Sequence, residues 1–249
     1  MLKAWLRFFR AVNLPTVPGD IWVGVVSMWC GAGLLMDSSV PIFWATGAGG
    51  LLYMFGLADN DIVGATTDAG RPIPEGKISL TAARVARALC LAGVMALGFV
   101  RDPLSGTFLP REWWWLAMAL LLAEVGYNRT KAWFLMGVCR GLNVLCGGAV
   151  AYASLMRVGT FRQAVPNGLR ILIPLALVWT VYIAAITKYS EGEDADPRKR
   201  RIVGLLIAAL VPLQALALVA MGSGISLAVI VLAVLMWIFK KVFPEVSAS

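Results

Sequence analysis

A chain of 249 residues that is 59% hydrophobic and only 14% charged cannot hide its apolar surface in a water-soluble globule, where charged residues make up about 25%. It contains no histidine, which excludes histidine bases, triads and metal ligands and leaves carboxylates, Tyr, Lys and Arg for any chemistry. The net charge of +8 calls for no nucleic acid, because basic loops facing anionic membrane lipid account for it.

A membrane-spanning helix needs about 20 apolar residues and must satisfy its own backbone hydrogen bonds. Eight stretches qualify: 17–36, 40–58, 80–100, 112–127, 133–154, 169–187, 201–221 and 224–243. They predict an all-α protein with a single transmembrane domain over 1–249. Lys3, Arg7 and Arg10 precede the first span without a small-residue cleavage site, which reads as a retained anchor. Asn13, Thr16 and Asp20 recur at helical spacing where that span begins.

The second span runs into DNDIVGATTDAGRPIPEGKIS at 59–79. Asp59, Asp61 and Asp68 place carboxylates at the membrane surface, with Arg71 and Lys77 close behind. Carboxylate oxygens suit Mg²⁺ bridged to substrate phosphates, and the cations suit the phosphates directly. The glycines and prolines here also fit a plain solvated turn.

Trp113, Trp114 and Trp115 open the fourth span as an interfacial belt. Glu124, Tyr127, Asn128 and Lys131 share a face at its end, where Glu124 and Lys131 could also pair with each other. Arg140 and Asn143 share a face of the fifth. Polar groups inside spans are costly, so these faces together predict a polar cavity. Cys30, Cys90, Cys139 and Cys146 lie within apolar spans without CxxC spacing and read as packing residues. Lys and Arg concentrate on alternate loops: both termini, 59–79, 127–133 and 188–200. This places those loops and both termini in the cytoplasm.

Three segments carry a resemblance to a known family. The stretch Asn60 to Ser79, with its Asn-Asp pair, later Asp and RPIPEGKIS, resembles the first aspartate-rich motif of the UbiA superfamily of intramembrane prenyltransferases. YNRTK, Tyr127 to Lys131, is similar to that superfamily's YxxxK motif, and RFFRAVNLPT, with Arg10 and Asn13, to its opening. MGVCRGLNVLCGG at 136–148 is similar to the EboC-like branch.

The resemblance implies a polytopic bundle of eight to nine transmembrane helices around a central cavity. It implies Mg²⁺ as cofactor, held with diphosphate by Asp61 and Asp68 and supported by Asn60. Arg71, Tyr127 and Lys131 would hold the diphosphate. The implied reaction transfers an isoprenoid chain from its diphosphate to an aromatic or other lipid-soluble acceptor. Asn13, Asp20, Lys77, Glu124, Arg140, Asn143, Tyr182 and Lys188 are the further candidates for substrate contact.

Two departures stand out. Gly64 occupies the middle acid position of the first motif. In the second motif, aligned on Tyr182, Ile186 and Ser190 stand where acids belong. Glu191 and Asp194 in the nearby KYSEGEDAD are then the candidate substitute metal ligands. A membrane terpene cyclase, a non-catalytic isoprenoid-diphosphate carrier and a secondary transporter are the competing readings.

Overall fold

The computed structural model describes residues 1–33, 41–68, 70–102, 106–157, 163–192, 196–222 and 234. They form eight helices and, among the described residues, no strand. These are α1 (Leu2–Phe8), α2 (Thr16–Gly31), α3 (Ile42–Val63), α4 (Leu80–Phe99), α5 (Arg111–Thr130), α6 (Trp133–Arg157), α7 (Val165–Ser190) and α8 (Pro197–Ala220). Seven of the eight expected spans are therefore helices, and the eighth, 224–243, lies outside the described residues apart from Val234.

Helices α4, α6, α7 and α8 are long and apolar enough to cross a membrane. Helix α2 has only 16 residues, and α3 and α5 carry Asp59 with Asp61, and Glu124.

Helix ends are closed by specific groups. Ser79 Oγ accepts the Ala82 N–H at the start of α4, and Asp196 accepts those of Arg198 and Lys199 at the start of α8, as N-caps do. The first turn of α3 is capped from another segment, where buried Asp102 accepts the Trp44 N–H at 2.9 Å. Helix α2 ends at Gly31, five residues before the expected boundary. Gly33 turns the chain there with φ +70, a conformation that glycine adopts without penalty.

Helix α6 is central, packed against α7, α2 and α5. Its contact with α2 is backbone to backbone: a Cβ on Gly24 would lie 1.9 Å from the Val144 carbonyl oxygen, and one on Gly147 would lie 2.0 Å from that of Ile21. Small residues permit such approach in membranes, where apolar burial alone does not drive helices together. Helix α1 was not among the expected spans. Phe8, fully buried, packs there with Ala4, Ala58, Ile78 and Ala83, fastening α1 to the end of α3 and to the 64–79 loop.

Candidate active site

A cavity lies between α3, α5 and α6, with an interior of about 50 Å³ inside about 540 Å³ of empty space that includes open solvent. Helix α3 contributes Gly49, Tyr53, Gly56 and Asn60 to its wall, a stripe at helical spacing. Facing it are Glu124, Tyr127 and Asn128 from α5 and Cys139, Arg140 and Asn143 from α6. The polar faces expected from the sequence thus converge on one space.

Opposite charges gather beside the cavity at its mouth, where Arg10 and Asn60 belong to the lining and Lys131, Asp61 and Arg71 lie next to them. Lys131 Nζ donates to Asn60 Oδ1 at 2.5 Å and lies 5.7 Å from the Tyr127 ring centroid. The guanidiniums of Arg71 and Arg10 lie 3.4 and 3.9 Å from Asp61 Oδ1. Burial pulls the Lys131 ammonium below the usual lysine range, with Asp68 the strongest influence opposing that shift. Arg10 and Lys131 are also the non-glycine residues with positive φ among those described, at 40° and 54°. Such conformations cost about 1–3 kcal/mol and cluster at functional sites.

The 64–79 loop is folded and not a loose turn. Asp68 N–H donates to Gly64 O at 2.9 Å, Glu75 N–H to Arg71 O at 3.0 Å and Ile78 N–H to Pro72 O at 3.1 Å. Arg7 ties it to α1 through Gly70 O at 2.7 Å and Glu75 at 3.3 Å. The altered motif position has a use here: a Cβ on Gly64 would lie 2.3 Å from Asp68 Oδ2, so the missing side chain makes room for the Asp68 carboxylate.

Asp59, two residues before Asp61, has a different role. It is buried and bound by Arg87 at 2.6 Å and by Asn128 Nδ2 at 3.0 Å, with Arg129 at 3.8 Å. These partners hold α3, α4 and α5 together and leave Asp59 poorly placed to serve a ligand.

Deeper down, Asp20 is fully buried beneath Arg140, whose Nη1 donates to it at 2.6 Å and whose Nη2 donates to Thr16 Oγ1 at 2.5 Å. Gln214 from α8 donates to Asp20 Oδ1 at 2.7 Å and to Thr16 O at 2.8 Å. Arg140 also stands 5.5 Å from the Tyr53 ring centroid. Asp20 thus supports the wall by fixing Arg140, while Arg140 and Asn143 reach the cavity.

The other expected site residues lie apart. Asn13 acts through its backbone carbonyl, which accepts the Thr16 hydroxyl at 2.7 Å. Lys77 pairs with Glu75 at 2.7 Å on the loop surface. Tyr182 donates to Leu206 O at 2.7 Å, joining α7 to α8. Lys188 and Glu191 pair with each other at 2.9 Å, both more than half exposed, and none of these five lines the cavity. Asp194 lies outside the described residues. Sequence reasoning missed Tyr53, Arg87 and Gln214, because the partners of Arg87 and Gln214 come from distant segments and an aromatic in an apolar span looks like packing.

Among the described residues, no three carboxylates or cysteines form a metal cluster. Asp61 nevertheless fits a magnesium ion shared with a diphosphate, because both arginines approach Oδ1 and its buried Oδ2 has no hydrogen-bond partner. Asp68 is near enough to act on Asp61 electrostatically. Mg²⁺ typically takes one or two carboxylates together with substrate phosphates and water.

No protein-family model matches the chain, and no curated protein matches it significantly. Among solved structures, it is similar to one described as giving structural and mechanistic insights into digeranylgeranylglyceryl phosphate synthase in membranes. The two share 18% identity and a TM-score of 0.56, and the match covers 99% of this chain and 91% of that one. Likeness at that identity carries the architecture and leaves the chemistry to the residues. The chain therefore shares the fold of that membrane synthase.

Proposed function

We propose that the protein is a Mg²⁺-dependent intramembrane prenyltransferase that moves an isoprenoid chain from its diphosphate to an aromatic or other lipid-soluble acceptor. The observation that carries this reading is the mouth of the cavity. Lys131, Arg71 and Arg10 converge there with Asn60 and with a buried Asp61 oxygen that has no partner, above a pocket enclosed by membrane helices. The motif loops face the cytoplasm in this reading, where soluble diphosphate leaves.

Each group then has a task. Lys131, Arg71 and Arg10 offset the charge that grows on the diphosphate as the allylic C–O bond breaks. Asn60 aims the Lys131 ammonium. The strained backbone at Arg10 and Lys131 sets both cations before substrate arrives. The helix walls keep water from the isoprenoid carbon, so that the acceptor captures it. Asp61 and Asp68 would hold Mg²⁺, which when bound adds positive charge beside the leaving diphosphate.

The test is diphosphate release from geranyl, farnesyl and geranylgeranyl diphosphates by purified protein in lipid, with and without Mg²⁺ and a membrane-lipid extract. Release that requires both metal and extract is the expected result. Absence of diphosphate binding would remove the reading. Asp61→Ala, if folded, should lose the magnesium-linked part of the affinity for a non-hydrolysable thiodiphosphate. A carrier is the second reading, favoured because Gly64, Ile186 and Ser190 stand where the two motifs carry acids; tight metal-linked binding without release would establish it. Release without extract would instead favour a terpene cyclase.

A further inference from the structure

Outside the central cavity, a cleft of about 420 Å³ opens between α1 and the 64–79 loop, lined by Met1, Lys3, Ala4, Arg7 and Lys77. None of these residues lines the central cavity. The loop joins α3 to α4, a helix long and apolar enough to cross a membrane. The cleft therefore stands at a membrane surface.

Helix α1 presents three sides. Ala4 and Phe8 are buried against Ala58, Ile78 and Ala83. Leu2 and Leu6, with Phe9 just beyond the helix, share a second side at helical spacing. Leu2 is 71% exposed there, and Trp5 stacks on Phe9 with ring centroids 5.9 Å apart. Lys3 and Arg7, four residues apart, form the third side and line the cleft. An apolar side next to a basic edge is the pattern of a helix lying in the membrane interface, with its apolar side chains in lipid and its cations among the head groups.

The cleft holds more donors than its own acid can use. Arg7 gives Nη1 to Glu75 and Nη2 to Gly70 O, while its Nε has no hydrogen-bond partner, so one guanidinium donor is left over. Lys77 lies 2.7 Å from the same Glu75 oxygen and is half exposed. Glu75 thus sets one carboxylate against Lys3, Arg7 and Lys77. The Lys77 hydrogen bond and the Arg7 charge hold that carboxyl below the ordinary glutamate range, the mark of a local field that stays positive.

We infer that this cleft binds the phosphate of an anionic phospholipid in the adjoining leaflet, with Lys3, Arg7 and Lys77 around the phosphate and Leu2 beside the acyl chains. Inorganic phosphate has the charge but no chains, and the exposed apolar side of α1 favours the lipid. Arg7 also holds Gly70 O, between Asp68 and Arg71 in the chain. An occupied cleft therefore braces the motif loop from outside the central cavity.

The test titrates phosphatidylglycerol and phosphatidylcholine of equal chain length into purified, delipidated protein and counts bound lipid by native mass spectrometry. Each basic residue near an anionic lipid strengthens binding by about fivefold. Wild type should hold one phosphatidylglycerol roughly twentyfold more tightly than phosphatidylcholine, since three cations face one acid. Lys3→Gln combined with Lys77→Gln, both exposed positions, should lose most of that preference. Arg198→Gln combined with Arg200→Gln removes the same charge from the exposed start of α8 and should keep it. Inorganic phosphate in large excess should leave the lipid bound. Equal affinity for the two lipids, equal loss in the two double variants, or displacement by inorganic phosphate would overturn the site.

Discussion

Lys131 ends α5 in a left-handed conformation, and from that turn its ammonium donates to Asn60 Oδ1 on α3. A glycine would close α5 at lower backbone cost, so the lysine is better explained by its charge than by the turn.

Lys131→Gly and Lys131→Ala should both weaken isoprenoid thiodiphosphate binding by at least tenfold, and weaken the corresponding alcohol far less. The glycine variant should be the more stable of the two by about 1 kcal/mol, because alanine keeps the left-handed strain that glycine avoids. Thermal unfolding in detergent and titration of both ligands check this. Equal weakening of alcohol and diphosphate would show that Lys131 does not serve the charged head.

The lowered proton affinity of Lys131 has a signed consequence. Burial moves its titration below 10.5, so as pH rises the cation disappears earlier than an ordinary lysine's, and diphosphate loses a partner. Affinity should therefore fall at a lower pH than the titration of an ordinary lysine would produce. Lys131→Arg, which stays charged throughout, should flatten that fall even if its starting affinity is lower.

Arg140→Leu should destabilise the protein by about 3–5 kcal/mol, the usual cost of stranding one partner of a buried pair, since Asp20 would remain fully buried opposite an apolar side chain. Adding Asp20→Asn should recover part of that loss. Chemical unfolding of both variants decides the matter, and a single-variant cost below about 1 kcal/mol would mean that water reaches Asp20.

Gly64→Ala tests the loop. The backbone at Gly64, φ −82, accepts any residue, but the new methyl would displace the Asp68 carboxylate 2.3 Å away. Magnesium-linked affinity for thiodiphosphate should fall severalfold with little change in stability. Unaltered metal dependence would separate Asp68 from the metal.

The membrane spans were legible because composition alone forces helices there, and the mouth was legible because its charged residues sit in short motifs. The wall was harder to read. Glu124 and Lys131 share a helix face and could have paired, yet Lys131 reaches Asn60 while Glu124 Oε2 stays unpaired. Asp59 looked equivalent to Asp61 until Arg87 of α4 was seen beside it. Gln214 is a single polar residue in an apolar run, and its meaning depends on Thr16 and Asp20 at the other end of the chain. Local pattern reveals periodicity, whereas partner choice follows from how the helices pack.

Asp59, Asn60 and Asp61 are consecutive, and at 100° per residue they face three directions: Arg87 and Asn128, Lys131 and the cavity, and Arg10 with Arg71. One residue inserted or deleted between Gly49 and Asp59 would rotate all three at once against the wall glycines, exchanging every partner in a single step. The length of α3 is therefore held more tightly than its composition. Side chains along it can drift one at a time under selection, but changes of length there should be all but absent from functional descendants of this chain.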